Sequence, residues 1–147
     1  LPKGRDFRIL ATDIDTDVLR CGKNAVYPTT KRGEIPEDYF RCSTDLGSGE
    51  AYGWFRIKPR VKEKVLFERH NLIEASIPEK NRFDLVLRRN VLIYFDKDSI
   101  EFVSRKLYDA TQPGGYLFIG HSESLQGIRS DWKLNGPSVF RKTESIR

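Results

Sequence analysis

Fourteen consecutive residues, Phe83-Asp84-Leu85-Val86-Leu87-Arg88-Arg89-Asn90-Val91-Leu92-Ile93-Tyr94-Phe95-Asp96, restrict the fold more than any other part of this chain. They open as a short apolar run suited to a buried parallel strand, which then meets two arginines, an asparagine and a tyrosine. In open α/β sheets ligands sit outside the carboxyl ends of the strands, so polar groups arriving there are candidate site residues. Taken alone, the arginines read equally well as solvated groups and Tyr94 as core packing.

The flanking sequence repeats the strand-then-helix rhythm. Arg8 to Thr12 reads as a buried strand, and Asp15 or Thr16 then caps a helix over about Asp17 to Asn24 that Pro28 stops. Pro36 to Phe40 suits a short helix with proline in its first turn. Glycines 47 and 49 beside Trp54 and Phe55 predict a hairpin, and Val65-Leu66-Phe67 a further strand leading to His70-Asn71-Leu72. Asp98-Ser99-Ile100-Glu101 has capping-box spacing, and Ile100, Val103, Leu107, Ala110 and Thr111 recur at helical intervals. Pro113-Gly114-Gly115 should end that helix, with a strand over Tyr116 to Gly120. An antiparallel pair is expected over Asp131–Leu134 and Ser138–Lys142. Strands alternating with helices imply an α/β sheet, mainly parallel, with an antiparallel edge.

A length of 147 residues fits one domain, and 38% apolar content can fill a core. No apolar run approaches the ~18–20 residues of a membrane span and no secretory pattern is seen, so the chain is read as soluble, without membrane insertion. It starts at Leu1 and contains no methionine, and is expected to be a piece of something longer. Cys21 and Cys42 stand in no metal-ligand spacing, so a reduced cytoplasmic protein without a metal site is the default. The net charge of +5 favours acidic partners without naming one. Arg56, Lys58, Arg60, Lys62 and Lys64 alternate, and an extended chain would put all five on one face, although Pro59 interrupts any single strand.

Asp13 ends the first strand, where an acid can accept hydrogen bonds from both hydroxyls of a ribose; local capping is its other role. Asn71 follows another strand and can present an amide to an adenine edge, although a turn asparagine is commoner. Asp13, Asn71 and Arg89-Asn90 would share one crevice if their strands are neighbours. His121-Ser122-Glu123 imitates part of a hydrolase triad, but no Gly-x-Ser-x-Gly elbow, His-Glu-x-x-His or P-loop accompanies it.

Ala11-Thr12-Asp13-Ile14-Asp15-Thr16, Asn71-Leu72, Arg89-Asn90-Val91-Leu92-Ile93-Tyr94-Phe95 and Gly120-His121-Ser122-Glu123 occur in this order. Together they resemble the CheR-type chemoreceptor glutamate methyltransferases, over about Arg8 to Arg141. The resemblance implies a class I, Rossmann-like methyltransferase sheet and S-adenosylmethionine as cofactor, leaving S-adenosylhomocysteine as product. It implies the cytoplasmic signalling domain of chemoreceptors as protein substrate. By position it assigns Asp13 to the ribose, Asn71 and Leu72 to the adenosine, Arg89 and Asn90 to the cofactor and reaction centre, and Tyr94 to the transferred methyl group. Arg89 and Tyr94 are thereby the catalytic candidates. The hairpin and basic stretch, about 41–64, occupy the place of the family's small inserted β-subdomain, which in some members holds a peptide tether of the receptor. The family's N-terminal helical domain, first strand and glycine-rich turn are not found in these residues. The first strand is central in such a sheet, so the sheet is expected to be split, with self-association or another segment filling the gap.

Two other functions fit parts of the sequence. A nucleic-acid methyltransferase or binder would use the basic hairpin with Trp54 and Phe55 interleaved, but the Asn/Asp-Pro-Pro-aromatic block of adenine amino methyltransferases is missing after Asn90. A non-catalytic protein-interaction module would keep the scaffold without the chemistry.

Overall fold

A computed structural model describes residues 6–74, 77, 82–88, 91, 95–120, 123, 125 and 127–143. The chain divides into two compact units, 1–71 and 72–147.

In the first unit, β1 (Ile9–Asp13) and β5 (Val65–Arg69) pair in parallel, Ile9 opposite Val65 and Asp13 opposite Arg69. Helix α1 (Thr16–Asn24) starts where the sequence predicts, because the Asp15 carboxylate accepts the Asp17 and Val18 amides. It ends at Asn24, as the sequence predicts, though Pro28 is not what stops it. Ala25 turns left-handed at φ 59° and donates its amide to the Cys21 carbonyl, so the helix closes before Pro28 is reached. At Gly22 the helix lies so close to β5 that a Cβ would overlap the Phe67 ring.

Pro28 belongs instead to β2 (Val26–Pro28), which joins β3 (Thr44–Leu46) and β4 (Trp54–Ile57) in an antiparallel sheet ordered β2-β4-β3. Helix α2 (Glu37–Ser43) packs on it through Phe40, whose ring meets buried Phe55 edge-on at 5.0 Å between centroids. The alternating cations do not share one extended face. After β4 the chain turns into α3 (Pro59–Lys62), with Pro59 tolerated in the first turn. Arg56 pairs with Asp45, the Lys58 ammonium donates to the Arg41 and Cys42 carbonyls, Arg60 donates to the Cys42 carbonyl, and Lys64 pairs with Asp6.

The second unit holds β6 (Phe83–Leu87), α4 (Lys97–Ala110), β7 (Thr111–Phe118), β8 (Lys133–Gly136) and β9 (Val139–Arg141). The sheet order is β6-β7-β9-β8, with β6 and β7 parallel and the later pairings antiparallel. The architecture is α/β: two parallel pairs, β1–β5 and β6–β7, stand in separate sheets, and the other pairings among the described residues are antiparallel. Among the described residues β1 pairs only with β5 and β6 only with β7.

The core of this unit is Val103 and Leu107 from the inner face of α4, Leu117 and Ile119 at alternate positions at the end of β7, and Leu125 and Trp132 from the chain that follows. Two expectations shift here. The cap of α4 is Asp96, whose carboxylate accepts the Ser99 amide at 2.8 Å, and not the Asp98–Glu101 box. Glu101 accepts the Arg129 amide instead. Pro113-Gly114-Gly115 also does not separate helix from strand: α4 ends at Ala110 and β7 begins at Thr111. These residues form an irregularity inside the strand, where the pairing jumps from Phe83–Thr111 to Leu85–Tyr116.

Candidate active site

The carboxyl ends of the parallel strands gather the polar groups. Asp13 closes β1, and its carbonyl accepts the His70 amide at 3.0 Å, continuing the ladder one step beyond β5. This places Asp13 beside His70, with Asn71 next in sequence. One oxygen of Asp13, Oδ1, accepts the Asp15 amide at 2.9 Å, the local role open to it. Its Oδ2 makes no hydrogen bond to the described residues. The buried His70 Nε2 is likewise without a partner. A half-buried carboxylate with one oxygen to spare, at the shared tip of two parallel strands, fits a ribose hydroxyl.

Leu72 is half-buried against the apolar core of the second unit, and its carbonyl accepts the Lys106 ammonium at 3.2 Å. Arg89, Asn90 and Tyr94 lie outside the described residues, as do His121 and Ser122. The proposed crevice of three strand tips is therefore described at Asp13 and Asn71 alone.

Beyond β6 and β7 stand Arg88, which motif reading passed over, and Glu123, which it placed in the Gly-His-Ser-Glu block without a role. Glu123 is buried, and its carboxylate bridges two loops: Oε1 accepts the Val91 amide and Oε2 the Gly120 amide, each at 2.8 Å. The Val91 bond ties the chain beyond β6 to the chain beyond β7. Arg88 continues the β6–β7 ladder by donating its amide to the Phe118 carbonyl at 2.9 Å. Its side chain is 6% exposed. Burial pushes the guanidinium down to about 10, against the opposing pull of the Glu123 carboxylate. The signal was legible: strand alternation puts Arg88 on the face of Val86, which packs on the core.

Residues 1–139 match the family model described as the SAM-binding domain of CheR methyltransferase. This chain belongs to the CheR methyltransferase family. Three curated relatives carry the name chemotaxis protein methyltransferase. That of Salmonella typhimurium is 30% identical over 134 residues, 91% of this chain and 46% of the relative. That of Klebsiella aerogenes is 32% identical over 137 residues, 93% and 47%. That of Vibrio anguillarum is 37% identical over 128 residues, 86% and 45%. The chain thus spans about half the length of these curated relatives. Among solved structures, an S-adenosylmethionine-dependent methyltransferase from Mesorhizobium loti superimposes with a TM-score of 0.43 at 17% identity, covering 76% of this chain and 34% of that one. The [4+2]-cyclase SpnF reaches 0.48 at 12% identity, covering 97% and 40%. Scores this low carry no weight beside the family match.

The cofactor of the family domain is S-adenosylmethionine. Asp13 and Asn71, at adjoining strand ends, are the described residues suited to its adenosyl part. No helix is long and apolar enough to cross a membrane, and no cluster of metal-ligating side chains occurs among the described residues.

Proposed function

We propose that this chain is the cofactor-binding part of a cytoplasmic protein-glutamate O-methyltransferase that modifies the signalling domains of chemoreceptors. The single observation that carries it is the family match over 1–139, which includes every assigned site residue. S-adenosylmethionine supplies a methyl group made electrophilic by a sulfonium. Asp13 holds the ribose, and Asn71 with Leu72 frames the adenine. An acceptor glutamate is already ionised near neutral pH, with an ordinary pKa of about 4.3, so the protein need not remove a proton. Its task is alignment, bringing carboxylate oxygen, methyl carbon and sulfur into line at roughly 3–3.5 Å. Arg89 and Asn90 orient the reactants, and Tyr94 positions the carboxylate and keeps water out. A cation and an anion become two neutral products, so a tight grip on the carboxylate would slow the transfer.

The inserted β-subdomain, about 41–64, is the part proposed to meet the receptor. A hollow there is lined by Arg32, Phe40, Arg41, Asp45 and Leu46, along edge strand β3. The single-partner edges of β1 and β6 suit a further strand, from a second copy or another segment of the protein.

Labelled methyl transfer to a receptor signalling domain tests this reading, with acceptor glutamates replaced by glutamine as control. Calorimetry with S-adenosylhomocysteine accompanies it. Asp13→Asn should weaken that binding by about tenfold, the worth of one hydrogen bond to a charged group. Arg89→Ala and Tyr94→Phe should lower kcat/KM; unchanged values in both would remove them from the mechanism. Receptor binding with no affinity for S-adenosylhomocysteine would favour the interaction-module reading, to which the division of the parallel strands between two sheets lends support. The nucleic-acid reading loses its motivation, because four of the five alternating cations have partners within the protein.

A further inference from the structure

Arg88 is buried and charged, and Nε, Nη1 and Nη2 of its guanidinium all lack a hydrogen-bond partner among the described residues. A charged group buried in this way is costly, and an unsatisfied one calls for a ligand or a structural reason. The nearby Glu123 carboxylate accepts the Val91 and Gly120 amides and receives no hydrogen bond from the guanidinium. The backbone of Arg88 is fixed by the Phe118 carbonyl, at the end of β6 where sheets of this kind bind ligands.

We propose that Arg88 is a ligand-binding residue whose guanidinium fork receives a carboxylate at the carboxyl end of β6. Five N–H donors in a planar fork match the two oxygens of a carboxylate, and a bidentate pair fixes orientation as well as position. The negative charge of Glu123 favours a monoanion over a phosphate dianion and tempers the attraction. A tempered grip is what a charge-annihilating methyl transfer requires of a group that orients one reactant. The identity of the carboxylate rests on the methyltransferase reading, in which two reactants carry one: the acceptor glutamate and the amino-acid end of the cofactor.

The test follows the Arg88 Nε–H resonance, assigned by its loss in Arg88→Met. Glutarate, which mimics a glutamate side chain, should shift it saturably, whereas dimethyl glutarate should not. S-adenosylhomocysteine and 5′-methylthioadenosine, which lacks the amino-acid end, separate the two sources. A cofactor carboxylate predicts a shift with the first alone, and S-adenosylhomocysteine binding at least about tenfold weaker in Arg88→Met with methylthioadenosine unaffected. An acceptor carboxylate predicts a glutarate response with S-adenosylhomocysteine affinity unchanged in the variant. Either outcome supports the assignment. No shift with any carboxylate, in wild-type protein that needs no variant to fold, overturns it. A glutarate response without affinity for S-adenosylhomocysteine would defeat the methyltransferase reading and leave the carboxylate assignment standing.

Discussion

Among its described residues the second unit buries two cations, Lys142 and Arg88, at opposite ends of its sheet, and the fold treats them differently. Lys142, 9% exposed, sits beside the start of β7. Its ammonium donates to the Tyr108 and Thr111 carbonyls at 2.7 and 2.8 Å and lies 4.6 Å from the centroid of the Tyr108 ring. There a cation completes the carboxyl end of α4, where unpaired carbonyls and the helix dipole favour positive charge. Arg88, at the other end, has no such completion. One end of the sheet spends its buried charge on holding the fold together. The other keeps it in reserve.

The largest effect that would sharpen this contrast is the loss of Lys142. Lys142→Met should destabilise the protein by about 2–3 kcal/mol in urea unfolding, because it removes two hydrogen bonds from a buried ammonium to the Tyr108 and Thr111 carbonyls. Arg88→Met should move stability the other way or leave it unchanged, a gain of about 1–2 kcal/mol, since an unpaired buried charge gives way to an apolar chain. Equal losses in the two variants would erase the distinction between the ends. The smallest effect concerns the amino end of α4. The Ser99 amide holds the Asp96 carboxyl below the ordinary carboxylate range. Its contribution is therefore complete above pH ~4 and is lost as pH falls through the lowered value. Asp96→Asn should remove that slope, which acid titration of stability measures; an undiminished slope would assign it to other carboxylates.

These comparisons also show what a sequence can carry. The inner face of α4 was legible because apolar periodicity is itself the burial pattern. The strands beginning near Ile9, Val65 and Phe83 were legible as strands but not as buried ones. Ile9, Leu66, Leu85 and Leu87 are exposed where β1, β5 and β6 each have a single partner among the described residues. The Asp15 cap was legible because the donors it satisfies are its own neighbours. Errors came where a distant partner decides. Pro28 joins a sheet because Trp54 lies opposite, and the alternating cations leave a common face because α3 intervenes. Pro113-Gly114-Gly115 stays within β7 because Phe83 and Leu85 pair on either side of it, and at Gly115 a Cβ would press on the Asp84 carbonyl.

The candidate site divides on the same principle. Asp13 and Asn71 were found by motif and lie at neighbouring strand ends. Arg88 was not, and Glu123 stood in the Gly-His-Ser-Glu block without a role, because what marks both is burial and hydrogen bonding rather than residue type. Arg88 stood beside the arginine that the motif selects, and alternation along β6 would have singled it out.

One carboxylate, that of Glu123, fastens the loop after β6 to the loop after β7. Loops at such tips ordinarily vary independently, each free to lengthen as its own task changes. Riveted together, these two become a single inheritable part: an insertion in either would pull its amide off the shared fastening, so any successful redesign must recut both at once.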